Sequence, residues 1–292
     1  MTRKIYTRAV AFCAAVCLWL GYTDVAPVFA DGSQNRPGST VLSCTYIPLY
    51  MEEGYIGSGI LMGAVTYVPI RTFAEHILQE TFQVSWDQES STAILTTDRL
   101  TITITLGQRY MTANGRLIYL GDAVYNINGT IVVPIRELCR LLGLSLEWDT
   151  DDWTIHIDAS QYSVPEYGET YYDPEDLYWL SRVICSEAAN QPLEGMIGVG
   201  NVVLNRLYYP TGEFGNSIYE VIFQPGQFDV VSSGMIYCEP SESAIAAAKL
   251  CLEGYSTVGN SLWFVNPYIG ISTWMQIYKT YYCSIADHDF YA

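Results

Sequence analysis

Positive charge is scarce in this sequence. It contains 14 Lys and Arg residues against 31 Asp and Glu residues, which gives a formal net charge of -17 at pH 7. Such a negative field repels nucleic acids, anionic lipids and anionic polymers, because binding these partners requires clustered Lys and Arg. The composition therefore argues against nucleic acid as a partner and favours a neutral or cationic one, for which a sugar polymer qualifies.

Histidines and metal-ligand motifs are also scarce. The chain has only His76, His156 and His288, and its eight cysteines include no CxxC pair. A zinc ion is normally held by closely spaced Cys, His and acidic residues, so we expect no metal and no cofactor. A Ser/His or Cys/His nucleophile is disfavoured because no histidine lies near Ser181, Ser186 or Cys185 in sequence.

The sequence has no long apolar run near its N-terminus. The run in residues 9–20 is about twelve residues long, short of the roughly twenty that a membrane-spanning helix needs. It follows Arg3, Lys4 and Arg8 and precedes a small residue, Ala30. This pattern predicts a secretory signal peptide over residues 1–30, a secreted protein, and no membrane insertion after cleavage.

Two segments of the N-terminal half resemble each other. TYVPIRTFAEHIL precedes FQVSWDQESSTAIL, and IVVPIRELCRLLG precedes LSLEWDTDDWTIHI, so that Pro69 recurs as Pro134 and Trp86 as Trp148. Each copy predicts a strand ending in VPIR, a short amphipathic helix, a strand ending in Trp-Asp, a turn and another strand. Residues 41–160 are therefore predicted to form a mostly β module with two small helices.

The recurring residues of this module are of the kinds that turns and cores need. Asp87 and Asp149 each follow a tryptophan that we expect to be buried, and each precedes a polar turn that a carboxylate can cap. The two-repeat pattern resembles the copper amine oxidase N-terminal-like domain. Copper is not implied here, because the module lacks a histidine cluster. The resemblance implies an accessory or wall-associating role.

The C-terminal half has a helical pattern. Residues 161–173 are polar, tyrosine-rich and punctuated by Pro and Gly, which predicts a linker. Residues 174–292 are predicted to form a second domain. Its first helix has Asp173 as N-cap and Pro174 at the first helical position, and is predicted to run to about Ala189.

A second helix is predicted to begin at Pro192, and it contains Gly195, Gly198 and Gly200. Each glycine weakens a helix intrinsically by about 1 kcal/mol relative to alanine. Glycines placed in this way indicate close helix packing.

Glu187 is the candidate for acid–base chemistry. One stripe of the first predicted helix is apolar, formed by Leu177, Leu180, Val183 and Ile184. Glu187 lies three and four residues beyond the last two, so its carboxylate is predicted to face inward. Burial raises the pKa of a carboxyl, as a general acid at neutral pH requires. From position alone, a glutamate reaching water from the helix end is an equally good interpretation.

Four stretches of the C-terminal half resemble a known family: SEAANQPLEGMIGVGNVVLNRL, FGNSIYEVIFQPGQF, AAKLCLEGYSTVGNSLWFVNP and the terminal HDF. Together they resemble the SleB/CwlJ-type cell wall hydrolase domain, the catalytic domain of germination-specific spore cortex-lytic enzymes. The resemblance covers residues 176–291. It implies that Glu187 is the catalytic acid, that the substrate is the glycan of peptidoglycan in the cell wall or spore cortex, and that the domain is related to lysozymes and lytic transglycosylases.

The predicted fold class is thus α+β in two domains, with a mostly β two-repeat module followed by a small, mostly helical, lysozyme/lytic-transglycosylase-like domain. A single candidate carboxylate favours a lytic transglycosylase, in which the 6-hydroxyl of N-acetylmuramic acid attacks its own C1. Hydrolysis needs a second carboxylate or an activated water, and several acids are available for that role: Glu194, Glu213, Glu220, Asp229 and Glu239.

Three alternatives remain open at this point. A muramidase would hydrolyse the same bond with a second acidic partner. An N-acetylmuramoyl-L-alanine amidase is disfavoured because such enzymes generally use zinc held by histidines and acids. A non-catalytic wall-binding protein would keep the fold without the chemistry.

The family resemblance also implies substrate-binding residues. It favours Gln227 and Asn266 as cleft residues and aromatic side chains as cleft walls: Phe228, Trp263, Phe264 and Trp274. Aromatic faces stack on the apolar faces of sugars, and amides bind N-acetyl and hydroxyl groups, although simple packing is the alternative for each residue. Basic residues in residues 174–292 are few, which argues against tight binding to teichoic acids: Arg182, Arg206, Lys249 and Lys279.

Overall fold

The structure is a computed structural model that describes residues 45–52, 54–78, 80–269 and 273–292. The predicted signal peptide lies outside these residues. Within them, no helix is long and apolar enough to cross a membrane. The chain divides into two compact units. The first holds the described residues up to Ala93 together with Thr105–Gln108 and Asp122–Val164, and the second holds Ile94–Ile104, Arg109–Gly121 and Pro165–Ala292.

A seven-stranded sheet forms the frame of the first unit. Its strands are β1 (Thr45–Met51), β2 (Gly54–Met62), β3 (Val65–Pro69), β9 (Tyr125–Ile127), β10 (Thr130–Pro134), β11 (Ser145–Asp149) and β12 (Thr154–Asp158). The strand order is β11-β12-β1-β2-β3-β10-β9. All neighbouring strands are antiparallel except β1 and β12, which are parallel.

The two sequence repeats pair with each other within this sheet, on the side that ends at β9. Strands β3 and β10 are neighbours, and Val68 lies opposite Val133. Each strand ends at its proline and leads directly into a short helix, α1 (Ile70–Ile77) or α2 (Ile135–Leu141). The two helices bury equivalent positions: Ile70, Phe73 and Ala74 in α1, and Ile135, Leu138 and Cys139 in α2. The predicted strand–helix pattern is confirmed.

The two aspartates of the repeats cap turns, as predicted. Asp87 accepts hydrogen bonds from Glu89 N at 3.1 Å and Ser90 Oγ at 2.6 Å, and Asp149 caps its own turn in a similar way. The expectation that a buried tryptophan precedes each turn is wrong for Trp86, which is 41% exposed. Its strand β4 (Gln83–Asp87) is the edge of its sheet, and almost every residue of that strand is exposed.

A five-stranded meander follows the order β4-β5-β6-β7-β8. Its other strands are β5 (Thr92–Thr96), β6 (Thr101–Thr105), β7 (Tyr110–Ala113) and β8 (Arg116–Tyr119). Most residues of β5 to β8 belong to the second unit. The domain boundaries predicted from the sequence, at residues 160 and 174, stay predictions.

The second unit is mainly helical. Its helices are α3 (Gly168–Tyr171), α4 (Pro174–Ala188), α5 (Leu193–Leu207), α6 (Ile218–Phe223), α7 (Asp229–Ser233), α8 (Glu242–Leu252) and α9 (Thr273–Tyr278), with a 3-10 turn at Met235–Tyr237. A small antiparallel sheet of order β13-β15-β14 completes it, from β13 (Trp263–Val265), β14 (Tyr281–Ile285) and β15 (His288–Tyr291). The predicted mixed α+β class, with a mostly β N-terminal module and a mostly helical C-terminal region, is confirmed.

Helices α4, α5 and α8 pack closely around one apolar core. The first turn of α4 is capped as predicted, because Asp173 Oδ1 accepts hydrogen bonds from the backbone N–H groups of Glu175 and Asp176 at 2.9 and 3.0 Å. The glycines of α5 allow the close approach. A Cβ added at Gly200 would lie 2.6 Å from Cys251 Sγ on α8, which is closer than two non-bonded atoms can approach.

Candidate active site around Glu187

Glu187 lies in the last turn of α4. Leu180, Val183 and Ile184, on the same helix, are fully buried in the core of the second unit. Because residues three and four positions apart share a helix face, Glu187 extends this buried stripe to the helix end. Its side chain is half-buried, so the carboxyl group lies at the edge of the core.

The surroundings of Glu187 favour its protonated form. Burial, and to a smaller extent the negative charge of Asp229, raise the pKa of Glu187 to about 7 against the opposing effect of the positive charge of Arg206. A carboxyl with a pKa near 7 is partly protonated at neutral pH and partly ionised, so it can both donate and accept a proton there. The inward orientation predicted from the sequence agrees with this placement.

Arg206 is the cation that acts on Glu187. It lies in the last turn of α5 and is buried, and its Nε donates a hydrogen bond to Leu262 O at 2.8 Å. Its guanidinium carbon lies 5.4 Å from the ring centroid of Phe214 and 5.1 Å from that of Phe228. Its Nη1 is buried without a hydrogen-bond partner among the described residues. Burial lowers the pKa of Arg206 to about 10, while Glu187 acts in the opposite direction.

Asp229 is the acid whose charge acts on Glu187. It begins α7 and is exposed to solvent. The other acids considered as partners are exposed or bound elsewhere: Glu194 by Arg109, Glu239 by Arg182, Glu220 by the Asn216 backbone, and Glu213 exposed on a loop. Asp229 is therefore the second carboxylate to consider in this site.

Phe228 lies beside the Arg206 guanidinium, and Phe264 packs next to Phe228. Phe228 is buried, and the centroids of the two rings are 6.4 Å apart. Phe264 also packs on His288, with a centroid separation of 5.2 Å. His288 is buried, and burial lowers the pKa of its imidazole. Phe228, Phe264 and His288 thus form one aromatic cluster, which contacts Arg206 through Phe228.

The two tryptophans both lie close to one lysine. Lys279 Nζ is 3.3 Å from the ring centroid of Trp263 and 5.2 Å from that of Trp274. Trp263 is half-buried and belongs to β13, whereas Trp274 is 51% exposed on α9. The Trp263 ring also lies 6.4 Å from Phe214, which contacts Arg206. The structure thus connects this predicted wall to the surroundings of Glu187.

The two predicted amide residues are placed differently. Gln227 is half-exposed and directly precedes Phe228, in the loop that leads into α7. Asn266 uses its side-chain oxygen to accept a hydrogen bond from Tyr268 N at 2.9 Å, which closes its own turn. Substrate binding by either residue stays a prediction.

A pocket of about 500 Å³ opens beside this region. Its lining residues are Gly212, Glu213, Phe214, Gly215, Tyr219, Glu220, Phe223 and Gln224. Glu187 does not line it, but Phe214 joins the pocket wall to Arg206. Among the described residues, no three His, Cys, Asp or Glu side chains are grouped in a way that could hold a metal ion.

The sequence interpretation assigned no role at the site to Arg206 or Lys279. A signal for Arg206 was present, because it continues the spacing of the buried residues Val199, Val202 and Val203 on α5. A basic residue on a buried helix stripe is unusual enough to indicate a specific partner. No comparable signal marks Lys279, which reaches the tryptophans only through the fold of the small sheet and α9.

Comparison with known proteins identifies the class of this domain. Residues 190–291 match the family model described as Cell Wall Hydrolase, and residues 58–157 match the Copper amine oxidase N-terminal domain. The chain is 31% identical over 96 residues to the cell wall hydrolase CwlJ of Bacillus subtilis, a match that covers 32% of this chain and 68% of that protein. The chain therefore belongs to the cell wall hydrolase family, and it also carries a copper amine oxidase N-terminal domain.

Two further relatives are spore cortex-lytic enzymes. The enzyme of Bacillus cereus is 32% identical over 104 residues, and that of Bacillus subtilis is 34% identical over 104 residues. Each match covers 36% of this chain, but it covers only 39% and 33% of those proteins. Among solved structures, the catalytic domain of the germination-specific lytic transglycosylase SleB from Bacillus anthracis is 30% identical, with a TM-score of 0.39 over 41% of this chain and 97% of that chain.

Proposed function

We propose that this protein is a secreted peptidoglycan-cleaving enzyme, a lytic transglycosylase that uses Glu187 as its general acid and base. The observation that carries the proposal is the environment of Glu187, where burial and Asp229 raise the pKa of the carboxyl to about 7. Catalytic acids are tuned toward the working pH in this way by desolvation and neighbouring charges. Membership of the cell wall hydrolase family supports a wall glycan as the substrate.

In the first step, protonated Glu187 donates its proton to the glycosidic oxygen that leaves C1 of N-acetylmuramic acid. Positive charge develops on C1 and its ring oxygen as the bond breaks. Because Glu187 is half-buried, little water reaches these charges, and groups of the protein stabilise them instead.

In the second step, the ionised Glu187 removes the proton from the 6-hydroxyl of the same sugar. The 6-oxygen forms a bond to C1, which closes a 1,6-anhydro ring, and Glu187 returns to its protonated form. Between the two steps Glu187 carries a negative charge. The positive charge of Arg206 stabilises that ionised form by electrostatic attraction. Among the described residues the two side chains form no ion pair, so the carboxylate is not held permanently in its charged form.

Hydrolysis of the same bond is the second candidate, and the position of Asp229 favours it. An inverting or retaining glycosidase needs a second carboxylate to activate water or to act as the nucleophile. Asp229 is exposed, and its charge acts on Glu187. Muramidase activity would leave a free reducing end instead of an anhydro ring.

Mass spectrometry of the soluble fragments released from purified peptidoglycan separates these candidates. The mature protein is incubated with spore cortex and with vegetative wall, in EDTA, beside the Glu187→Gln variant. Anhydromuramyl ends released only by the wild type support the transglycosylase. Reducing ends that vanish in Asp229→Asn support the muramidase, and a fully active Glu187→Gln protein rules out both mechanisms.

The names of the relatives support spore cortex as the preferred substrate, because several of them are spore cortex-lytic enzymes. Faster release from cortex than from vegetative wall supports a role in germination or sporulation. Equal rates on the two walls contradict that part of the proposal.

A further inference from the structure

Basic side chains are few in residues 174–292, and most of them are bound to other groups of the protein. Residues 174–292 contain twelve acidic residues and four basic ones. Three of the four have acceptors within the unit: Arg182 bonds Glu239 at 2.7 Å, Arg206 bonds Leu262 O at 2.8 Å, and Lys249 bonds Gly115 O at 3.3 Å. These three cations are used to hold the fold or to act on Glu187.

Lys279 is placed differently. Its ammonium lies over the Trp263 ring, 3.3 Å from the centroid, and 5.2 Å from the centroid of Trp274. A cation over an aromatic face is attracted by the ring but keeps its hydrogen-bonding capacity on the opposite side. Within the described part of the chain no carboxylate forms an ion pair with Lys279.

A series of contacts links Trp263 to the surroundings of the candidate acid. Trp263 packs 6.4 Å from Phe214, and Phe214 lies 5.4 Å from the guanidinium carbon of Arg206. Arg206 in turn acts on the charge of Glu187. Trp263 and Trp274 are both predicted walls of the glycan-binding cleft, and Lys279 lies against both of them.

We propose that Lys279, with Trp263 and Trp274, forms an anion subsite that binds a carboxylate carried by a muramic acid residue of the glycan. The carboxylate is either the free lactyl group of that sugar or the acid of its peptide stem. This inference rests on the proposed function and names a feature of the substrate that the enzyme recognises. A strongly negative protein repels carboxylates in general, so binding one requires a local cation that is free to receive it.

The test compares three substrates: intact peptidoglycan strands, strands stripped of their stems so that the lactyl carboxylate is free, and strands whose carboxylates have been converted to methylamides. Each is digested by the wild type, Lys279→Met and Lys279→Arg. Met keeps the apolar length of the side chain beside the rings and removes only the charge. Lys249→Met is the matched control, because Lys249 also lies over an aromatic ring, 5.2 Å from Tyr172, and away from the tryptophans.

Loss of a charge-assisted contact predicts a rise in KM of about ten-fold for Lys279→Met on a carboxylate-bearing substrate, with kcat nearly unchanged. Lys279→Arg restores most of the affinity. On methylamide strands the wild type and Lys279→Met have equal KM values. An effect on intact strands alone assigns the subsite to the stem, and an effect on stripped strands alone assigns it to the lactyl group.

The proposal is overturned if Lys279→Met behaves as wild type on every substrate, or if its KM rises equally on the methylamide strands, since that pattern indicates a packing role. In either case the wild type still releases fragments, and the proposed function stands. A wild type that releases nothing from any of the three substrates overturns the proposed function itself.

Discussion

Two arginine–glutamate pairs in the second unit are built in opposite ways. Arg116 donates two hydrogen bonds to Glu253, from Nε at 2.9 Å and from Nη2 at 2.7 Å, and Tyr172 donates a third to the same carboxylate at 2.8 Å. The hydrogen bonds to Glu253 raise the pKa of Arg116, which keeps its guanidinium group charged. This pair is a fully satisfied structural contact.

The pair formed by Arg206 and Glu187 is close enough to interact but is not joined by a hydrogen bond. Arg206 is held instead by the backbone of Leu262. The pKa of Glu187 rises to about 7, and the pKa of Arg206 falls to about 10. Burial pushes both groups toward their neutral forms because neither charge is fully compensated.

The number of hydrogen bonds that each glutamate accepts distinguishes a structural role from a chemical one. A carboxylate that already accepts several hydrogen bonds cannot readily take up a proton, whereas an under-satisfied carboxyl near pH 7 can do so. The same unit thus contains a glutamate that stabilises the fold and a glutamate that is available for chemistry.

The largest expected effect is on the reactive member of this comparison. Glu187→Gln is expected to lower the rate of glycan cleavage about 10³-fold, because an amide cannot transfer the proton. Fragment release followed by reducing-end and mass analysis measures this loss. Glu175→Gln, at the exposed start of the same helix, is the control and should keep wild-type activity. Similar rates for the two variants would remove Glu187 from the mechanism.

The satisfied pair should respond to mutation through stability. Arg116→Met leaves the Glu253 carboxylate buried without its main partner, so we expect a loss of about 3 kcal/mol in the free energy of unfolding, measured with urea. The side chains of Arg116 and Glu253 are only 19% and 5% exposed. Arg140→Met, which breaks the more exposed pair with Glu137 on α2, should cost less than about 1 kcal/mol. Equal losses would mean that burial does not distinguish the two pairs.

Glu187 should also reduce stability at high pH. Its folded pKa lies above its unfolded value, so the folded state binds the proton more tightly and stability falls as pH rises from about 4.5 to 7. Glu187→Gln removes this penalty. We expect the variant to be more stable than the wild type at pH 8 by about 2 kcal/mol, and nearly equal to it at pH 4. Thermal unfolding at the two pH values measures the difference, and a constant offset would contradict a raised pKa.

The smallest expected effects are opposite shifts in the pH profile. The general acid must be protonated, so cleavage falls as pH rises through the pKa of Glu187. Asp229→Asn removes a charge that raises this pKa, and Arg206→Gln removes one that lowers it. We expect the alkaline limb of kcat/KM to move to lower pH in the first variant and to higher pH in the second, by about 0.5 to 1 unit each. Shifts in the same direction would mean that the two charges do not act on Glu187 as inferred.

The sequence predicted those parts of the fold that depend on local signals. Asp173 and Pro174 begin α4 as expected, and the helix ends at Ala188, one residue before the predicted end. The glycines of α5 indicated close packing, which the approach of Gly200 to Cys251 confirms. Helix caps and helix-face spacing depend on residues that are close in sequence, so they can be predicted without knowledge of the tertiary structure.

The parts that the sequence did not predict depend on contacts between distant residues. The exposure of Trp86 follows from its strand being a sheet edge, and strand order is not encoded in the local pattern. Asp229 was one acid among several candidates until the fold placed α7 near the end of α4. The stacking of Lys279 on Trp263 likewise joins α9 and the small sheet across several turns of chain.

The meander also determines where the chain can be cut into parts that fold on their own. Leu117 of β8 lies in the same apolar core as Leu180 and Val199, and Arg116 beside it bonds Glu253 just beyond the end of α8. The family match to the hydrolase begins only at residue 190, yet its folding unit includes residues 109–121. A gene fragment that starts after the repeat module would therefore encode an incomplete hydrophobic core. Recombination at that boundary would not produce a catalytic domain that folds when it is joined to other proteins.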